Sequence, residues 1–207
     1  MISARTAFEA LREGNRRFVS ELGSAGASHA RRRELPAGQE PLAIILGCSD
    51  ARVPAELVFD QGLGDLFVIR VAGNIVAASQ IDSVEFAAEA FHTRLVVVLG
   101  HSSCGAVQAT LQQLARPWRE QSRNLSSIVD RIRPAVEGLL EQGQGRDPQT
   151  LERLAVRANI RMAADHLRHG SAVLEQLIRQ DGLVVVGAEY SLETGVVDFF
   201  DGVPAPV

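Results

Sequence analysis

Two short segments of the sequence carry residues that could bind a metal ion or act as a nucleophile. Residues 100–107 read GHSSCGAV and place His101 and Cys104 three apart, directly after the apolar run RLVVVLG. Cys48 opens a second segment, CSDARVPAE, at the end of another apolar run. Imidazole and thiolate are ligands that zinc prefers. Each residue alone is more often a core cysteine or a hydrogen-bonded histidine, so the metal interpretation requires that the three side chains meet.

The elements that must position these side chains are short apolar runs rich in valine and isoleucine. Such runs cover residues 42–47, 66–73, 95–100 and 183–190, and they predict strands that are buried on both faces, as in a parallel sheet. Helical patterns follow the second and third runs, and residues 122–180 are predicted to be helical with breaks near Pro134 and at 143–148. The tail GVVDFFDGV is predicted to add an edge strand. The predicted fold class is α/β, with a mostly parallel open sheet flanked by helices.

The carboxyl ends of parallel strands meet at one edge of a sheet, where ligands bind in open α/β folds. If the strands before Cys48 and His101 are neighbours, Cys48, His101 and Cys104 converge as three ligands with a fourth position unassigned. Structural zinc sites are normally closed by four protein ligands, whereas catalytic sites keep one position open. Asp50 is the local candidate for the fourth position, and Arg52 could hold its carboxylate away from the metal because guanidinium binds carboxylate through two hydrogen bonds.

Composition bounds the class of protein. The chain has 207 residues, 46% of them hydrophobic, and a net charge of −4, which predicts one domain over residues 1–207, with an arm and connector at 1–40 and a core at 41–207. We expect no nucleic-acid partner from this charge, and no membrane span because no run approaches ~18 apolar residues. The N-terminal residues lack the uninterrupted apolar stretch of a secretory signal, so we expect a cytoplasmic protein. Two cysteines make no disulfide framework. All 21 basic residues are arginine, which excludes a Walker-type phosphate loop and Schiff-base chemistry.

The quoted segments resemble the β-class carbonic anhydrases. CSDARVPAE is similar to the Cys-x-Asp-x-Arg signature of that family, and GHSSCGAV is similar to its His-x-x-Cys signature. GNRRF (14–18), GDLFVIRVAGN (64–74) and GAEYSLETGVV (187–197) also resemble family segments, so the resemblance spans nearly the whole chain. It implies one zinc ion per chain, bound by Cys48, His101 and Cys104, and reversible hydration of CO2 to bicarbonate and a proton by zinc-bound hydroxide.

The resemblance also assigns roles to further residues. Asp50 and Arg52 match the family's catalytic pair, and Asp50 is expected to become the fourth zinc ligand at low pH. Gln39 matches a glutamine that lines the substrate pocket across a dimer interface, and Gly105 matches a glycine whose amide faces the site. A dry pocket for CO2 could be lined by Val71 and Phe67.

The family forms homodimers, often paired into homotetramers, through an N-terminal helical arm. Residues 4–20 of this chain have the apolar stripe of such a helix, and we expect the stripe, with Phe8, Leu11 and Phe18, to be buried on a partner. A subset of the family binds regulatory bicarbonate with a tryptophan, an arginine and a tyrosine. Arg70 and Tyr190 match here, but Ile45 stands at the tryptophan position, which puts that pocket in doubt.

Three other functions compete with this interpretation. GHSSCG is a near miss of the nucleophile elbow Gly-x-Ser-x-Gly, so Ser102 could serve a hydrolase if His166 or His169 reached it. The same zinc scaffold could hydrolyse CS2 or COS. A zinc-binding or redox-sensing protein without catalysis would keep Asp50 on the metal at every pH.

Overall fold

The computed structural model describes residues 2–23, 29–115, 126–142 and 147–205. Most of the predicted break at 143–148 and the start of the predicted helical stretch at 122 lie outside these residues. Within the described part of the chain, no helix combines the length and the apolar character that crossing a bilayer requires.

Five strands form one sheet in the order β2-β1-β3-β4-β5. The first four are parallel and the last is antiparallel to its neighbour, which confirms the predicted sheet and its edge strand. Every residue of β1 and β3 is buried, as their unbroken apolar sequences predict. The strands are β1 (Ala43–Gly47), β2 (Leu66–Arg70), β3 (Leu95–His101), β4 (Val184–Tyr190) and β5 (Val197–Asp201).

The order of the strands places the chemistry. β1 pairs with β2 on one side and with β3 on the other, so the chain leaves β1 in one direction and later returns past it in the other. The carboxyl ends of β1 and β3 are therefore adjacent at a point where strand order reverses. Cys48 follows β1 and His101 ends β3. The strands before these two residues are therefore neighbours, as the predicted metal site requires.

The described residues form eight helices, and several begin at side-chain caps. Ser3, Asp147 and Ser171 each accept a hydrogen bond from a backbone N–H of the first turn that follows, which satisfies a donor that the helix itself leaves unpaired. The helices are α1 (Ala4–Val19), α2 (His29–Glu34), α3 (Ala55–Val58), α4 (Ala78–Ala90), α5 (Gly105–Leu114), α6 (Ser126–Gln142), α7 (Pro148–His169) and α8 (Ala172–Gln180).

The predicted break near Pro134 is wrong, because α6 continues through this residue. Proline removes one backbone donor from a helix, a local cost that tertiary packing can offset. Ile132 and Val136, on either side of Pro134, are completely buried in the core. Their burial keeps the helix continuous where local sequence preference would end it.

The two faces of the sheet carry separate layers. Ile44, Leu46, Val96 and Val98 face a core that includes residues of α4 to α8. The alternate positions of the same strands, among them Ile45 and Val97, face a second core completed by α1 and α3. Both faces of the central strands are thus covered, as a parallel sheet requires.

The N-terminal helix packs on the chain's own sheet. Phe8 is 3% exposed and Leu11 is fully buried in the core beside β1 and β3. The expectation that the apolar stripe needs a partner's surface is therefore wrong for these two residues. The stripe shows that α1 must be buried, but it does not specify which surface covers the helix.

The segment GNRRF ties α1 to the rest of the chain. Asn15 is buried; its amide group donates to the carbonyl oxygens of Val58 (3.1 Å) and Gly195 (2.9 Å) and accepts from the amide of Val197 (2.9 Å). A Cβ on Gly14 would lie 1.8 Å from the backbone oxygen of Phe59, so only glycine permits this approach. The segment is thus a packing motif that anchors the helix.

Candidate metal centre

Cys48 is held at the carboxyl end of β1 by backbone groups around it. Its side chain is almost fully buried, and its Sγ accepts a hydrogen bond from the amide of Gly73 at 3.4 Å. The guanidinium of Arg70 donates to the carbonyl oxygens of Cys48 (3.0 Å) and Asp50 (2.5 Å). Arg70 therefore fixes the backbone of the loop that carries both residues.

His101 is completely buried, and its hydrogen bonds define its tautomer. Nδ1 lies 2.8 Å from the carbonyl oxygen of Ser102. A carbonyl can only accept, so Nδ1 carries the proton and Nε2 presents its lone pair. Nε2 has no hydrogen-bond partner among the described residues. A buried polar atom without a partner is costly, and this atom faces two thiols.

Cys104 lies at the start of α5 as its N-cap residue and is 1% exposed. The preceding Ser103 has a φ of 53°, a left-handed conformation that turns the chain sharply from β3 into the helix. The amides of Ala106 and Val107 lie near the Cys104 sulfur and favour its thiolate form. A helix N-terminus is a favourable place for negative charge.

The ligand atoms of Cys48, His101 and Cys104 all lie within 4.8 Å of one another. Interaction with the Cys104 thiol lowers the pKa of Cys48 to about 4, and the same interaction, together with burial, raises the pKa of Cys104. Two buried sulfurs so close together carry two negative charges at a high cost unless a cation lies beside them. Burial alone would lower the pKa of His101, but the nearby Cys48 sulfur and the Ser102 carbonyl raise it. Soft thiolates and a free imidazole nitrogen fit zinc.

Asp50 and Arg52 form an ion pair beside these ligands. Nε and one terminal nitrogen of Arg52 donate to the two carboxylate oxygens of Asp50 at 2.9 and 2.8 Å, and the Arg52 amide adds a third bond at 3.0 Å. The Arg52 guanidinium holds the pKa of Asp50 well below its usual range. Asp50 Oδ2 lies 3.8 Å from His101 Nε2. The carboxylate is thus ionised and close to the ligands, while its hydrogen bonds go to Arg52.

The structure brings some of the other predicted residues to this edge. Val71 is half-buried, and its backbone bonds to Gly47 and Ser49 join β2 to the Cys48 loop. Gly105 begins α5, and a Cβ built on it would meet no atom within 4 Å, so there is open space in front of this residue.

Gln39 and Phe67 are not brought to this edge within the chain. Gln39 precedes β1, a strand of five residues that is roughly 16 Å long, whereas Cys48 follows it. Phe67 lies near the start of β2, where its ring contacts those of Phe86 and Phe91.

The matching residues of the regulatory pocket have other contacts here. Ile45 is fully buried in the core, and Tyr190 is 6% exposed with its ring 6.4 Å from that of Phe18. Arg70 bonds the Cys48 loop, as described above.

Sequence reasoning missed several hydrogen bonds made by residues that neighbour the ligands. Asn159 donates to the carbonyl of Gly73 at 2.8 Å, and Gly73 bonds the Cys48 sulfur. Ser102 donates from Oγ to Glu193 at 2.9 Å and accepts from the amide of Leu192 at 2.9 Å. The bonded residues are distant in sequence. Gly73, Leu192 and Glu193 lie in the segments AGN and SLETG quoted for the resemblance, whereas Asn159 lies in no quoted segment. The Ser102 hydroxyl thus bonds a carboxylate and an amide rather than a histidine, unlike a hydrolase nucleophile.

Together, the fold and the site define an α/β protein with an open, mostly parallel sheet and a Cys–His–Cys metal centre at its carboxyl edge. Comparison with known proteins narrows this class. The model of the family described as "Carbonic anhydrase" matches residues 43–197. Carbonic anhydrase 2 of Mycobacterium tuberculosis is 36% identical over 197 residues, covering 91% of this chain and 89% of the relative.

Solved structures agree with this. The β-carbonic anhydrase CcaA superposes with a TM-score of 0.76 at 25% identity, covering 96% of this chain and 93% of the other. One of the tetrameric β-carbonic anhydrases from Sordaria macrospora has the same fold, with a TM-score of 0.74 at 20% identity and coverage of 94% and 97%. The chain belongs to the β-class carbonic anhydrase family. It is a zinc-dependent enzyme that interconverts CO2 and bicarbonate, and neither the CS2 or COS hydrolase nor the non-catalytic alternative finds support.

Proposed function

We propose that Cys48, His101 and Cys104 hold the zinc ion of this enzyme and that Asp50 and Arg52 organise the reacting groups beside it. The observation that carries the ligand set is the unpartnered Nε2 of His101, completely buried and facing two thiols. When bound, zinc supplies the Lewis acidity that makes water a nucleophile near neutral pH. The remaining tasks fall to the side chains.

Asp50 can act as the acceptor that orients the attacking water. Arg52 donates to both of its oxygens, which keeps the carboxylate ionised and fixes its plane. Oδ1 accepts two of the three bonds from Arg52, whereas Oδ2 accepts one and retains a lone pair for a further bond. A fixed acceptor aims the water's reactive lone pair toward carbon, and such positioning contributes much of an enzyme's rate. The role of Asp50 as a fourth ligand at low pH stays a prediction.

CO2 is small and apolar, so its pocket needs to exclude water more than to donate hydrogen bonds. The half-buried Val71 beside the Cys48 loop and the open space in front of Gly105 support a CO2 pocket next to the ligands. The amide of Gly105, in the first turn of α5, is a suitable donor for an oxygen that gains negative charge as bicarbonate forms.

The zinc assignment is tested by replacing one thiol. Cys104→Ser exchanges a thiolate for a neutral hydroxyl, which is a poor zinc ligand. We expect metal analysis to show loss of most of the roughly one zinc per chain and a stopped-flow CO2 assay to show loss of activity. Ser103→Ala, the neighbouring change that keeps both thiols, is the control for loop disturbance. Full zinc occupancy in Cys104→Ser would remove Cys104 from the ligand set.

We also propose that the active form is at least a homodimer in which Gln39 serves the site of the other subunit. Gln39 and Cys48 lie at opposite ends of β1, so a contribution from Gln39 requires a second copy. Phe86 is 56% exposed and its ring contacts those of the partly buried Phe67 and Phe91. A large exposed aromatic side chain on such a cluster, beside β2, favours coverage by a partner. A tetrameric β-carbonic anhydrase from Sordaria macrospora has the same fold. We therefore extend the proposal to dimers that pair into a tetramer.

Sedimentation of the full-length chain, and of Phe86→Asp, tests this assembly. We expect a dimer or larger for the wild type and dissociation, with at least tenfold lower kcat/KM, for the variant, because a charge in an apolar interface is not compensated. Leu57→Asp, which also charges an exposed apolar position but lies outside that cluster and outside the N-terminal arm, is the control. A compact wild-type monomer with full activity would contradict the assembly. One domain over residues 1–207 and a cytoplasmic location stay predictions.

A further inference from the structure

Asn159 is a buried amide in the middle of α7 that the roles assigned so far do not use. Its side chain is 1% exposed, on a helix face whose other buried residues are mostly apolar, among them Val156, Ile160 and Ala163. An amide in such surroundings is unfavourable unless it is hydrogen-bonded. The bond it donates, 2.8 Å to the carbonyl oxygen of Gly73, spans 86 residues of sequence.

Gly73 connects this bond to the metal centre. It has a φ of 70°, and a Cβ on it would lie 2.9 Å from Ile132 Cδ1 and 3.0 Å from Ala106 Cβ. Without a side chain of its own, Gly73 is oriented by its backbone bonds. Its amide donates to the Cys48 sulfur and its carbonyl accepts from Asn159. One residue therefore links a buried helix to a ligand atom.

We propose that Asn159 is a positioning residue for the zinc centre, which holds Gly73 so that its N–H stays directed at the Cys48 sulfur. The inference rests on the proposed ligand set. An N–H···S bond fixes the position of the sulfur and stabilises the negative charge with which the thiolate binds the metal. Partners of this kind behind metal ligands typically account for 10–100-fold in metal affinity.

Asn159 could instead serve only to pack α7 against the sheet. Removing it would then lower stability without changing the metal centre in the folded protein. Metal affinity and the electronic state of the Cys48 sulfur distinguish the two roles, because neither responds to a loss of packing elsewhere in the helix.

The experiment compares Asn159→Leu, which keeps the number and branching of the side-chain atoms but removes the donor, and Asn159→Ala, which also removes the bulk. Ala164→Gly, at a fully buried position of the same helix, is the control; it costs about 1 kcal/mol of helix stability without touching Gly73. Zinc affinity is measured on the folded full chain by competition with a chelator. The cobalt-substituted proteins report the sulfur-to-metal charge-transfer absorption.

We expect both Asn159 variants to bind zinc at least tenfold more weakly than the wild type and to shift the charge-transfer band, while Ala164→Gly changes neither. A loss of less than tenfold in whichever variant folds, an unchanged band, or an equal loss in Ala164→Gly would overturn the inference. If Cys104→Ser still binds zinc, the proposed ligand set is wrong, and the inference that rests on it is wrong as well. If zinc binding does not survive there but remains intact in the Asn159 variants, only the present inference fails.

Discussion

Two arginine–carboxylate pairs lie near the carboxyl edge of the sheet, and they are built differently. Arg52 is 55% exposed and binds both oxygens of Asp50, whose pKa it lowers. Arg157 is 27% exposed, and its contact with Glu189 is a single one of 3.3 Å; burial raises the pKa of Glu189 despite that contact. The first pair keeps a carboxylate charged beside the metal ligands, whereas the second compensates a carboxylate that the fold has partly buried.

The difference teaches that the strength of an ion pair and its role need not coincide. The pair with the better geometry is exposed, where it adds little stability because solvent screens it. The pair with the poorer geometry is less exposed, where loss of the cation leaves an uncompensated charge. Arg157 also contacts Asp198 at 2.8 Å and lies 3.9 Å from the ring centre of Phe200. Activity should therefore depend on the first pair and stability on the second.

The largest expected effect is that of Arg52→Met on activity. The change removes the guanidinium that orients Asp50 and leaves the carboxylate free to turn toward the metal. We expect kcat/KM to fall roughly 100-fold, the scale of a lost positioning or proton-accepting group, while the free energy of unfolding stays close to that of the wild type because solvent screens this exposed pair. Stopped-flow CO2 hydration with zinc content measured in parallel tests this. Wild-type activity in a zinc-loaded Arg52→Met would remove the pair from the mechanism.

Arg157→Met should show the opposite result. It removes the cation that contacts the half-buried Glu189, and also the contact with Phe200, so we expect a loss of about 1–3 kcal/mol in the free energy of unfolding. We expect kcat/KM to stay within about twofold of the wild type. Arg179→Met is the matched control, because Arg179 pairs with Glu175 on the helix surface and is 64% exposed. Equal losses in Arg157→Met and Arg179→Met, measured by urea unfolding, would show that burial does not separate the two kinds of pair.

The two pairs also differ in how far the sequence reveals them. Asp50 and Arg52 are two positions apart, so their pairing follows from local geometry and was predicted. Arg157 and Glu189 are 32 positions apart, and their contact exists only because α7 packs against β4. The unbroken apolar runs predicted the parallel sheet for the same local reason, and the convergence of Cys48 with His101 followed once β1 and β3 proved adjacent.

What the sequence could not predict depends on tertiary packing. Asn159 reaches Gly73 across 86 positions, and nothing in the local pattern of α7 marks it. The stripe of α1 showed that Phe8 and Leu11 are buried but not that the chain's own sheet covers them. Pro134 lies inside a helix because its neighbours are buried, whereas local preference places a break there.

The smallest expected effect is the pH dependence that Glu189 contributes to stability. Burial raises its pKa in the folded protein, so the folded chain holds this proton more tightly than the unfolded chain does. Stability must then fall as pH rises from the ordinary pKa of glutamate, about 4.3, through the raised value, and level off above it. Glu189→Gln cannot ionise at this position, so its stability lacks this decrease with pH.

We therefore expect the stability of the wild type relative to Glu189→Gln to decrease between pH 4 and neutrality, by about 1 kcal/mol or less because Arg157 offsets part of the burial cost. Urea unfolding of both proteins across this range measures the difference. A wild type that gains stability relative to Glu189→Gln as pH rises would mean that Arg157 dominates, and that the two pairs of this edge are alike after all.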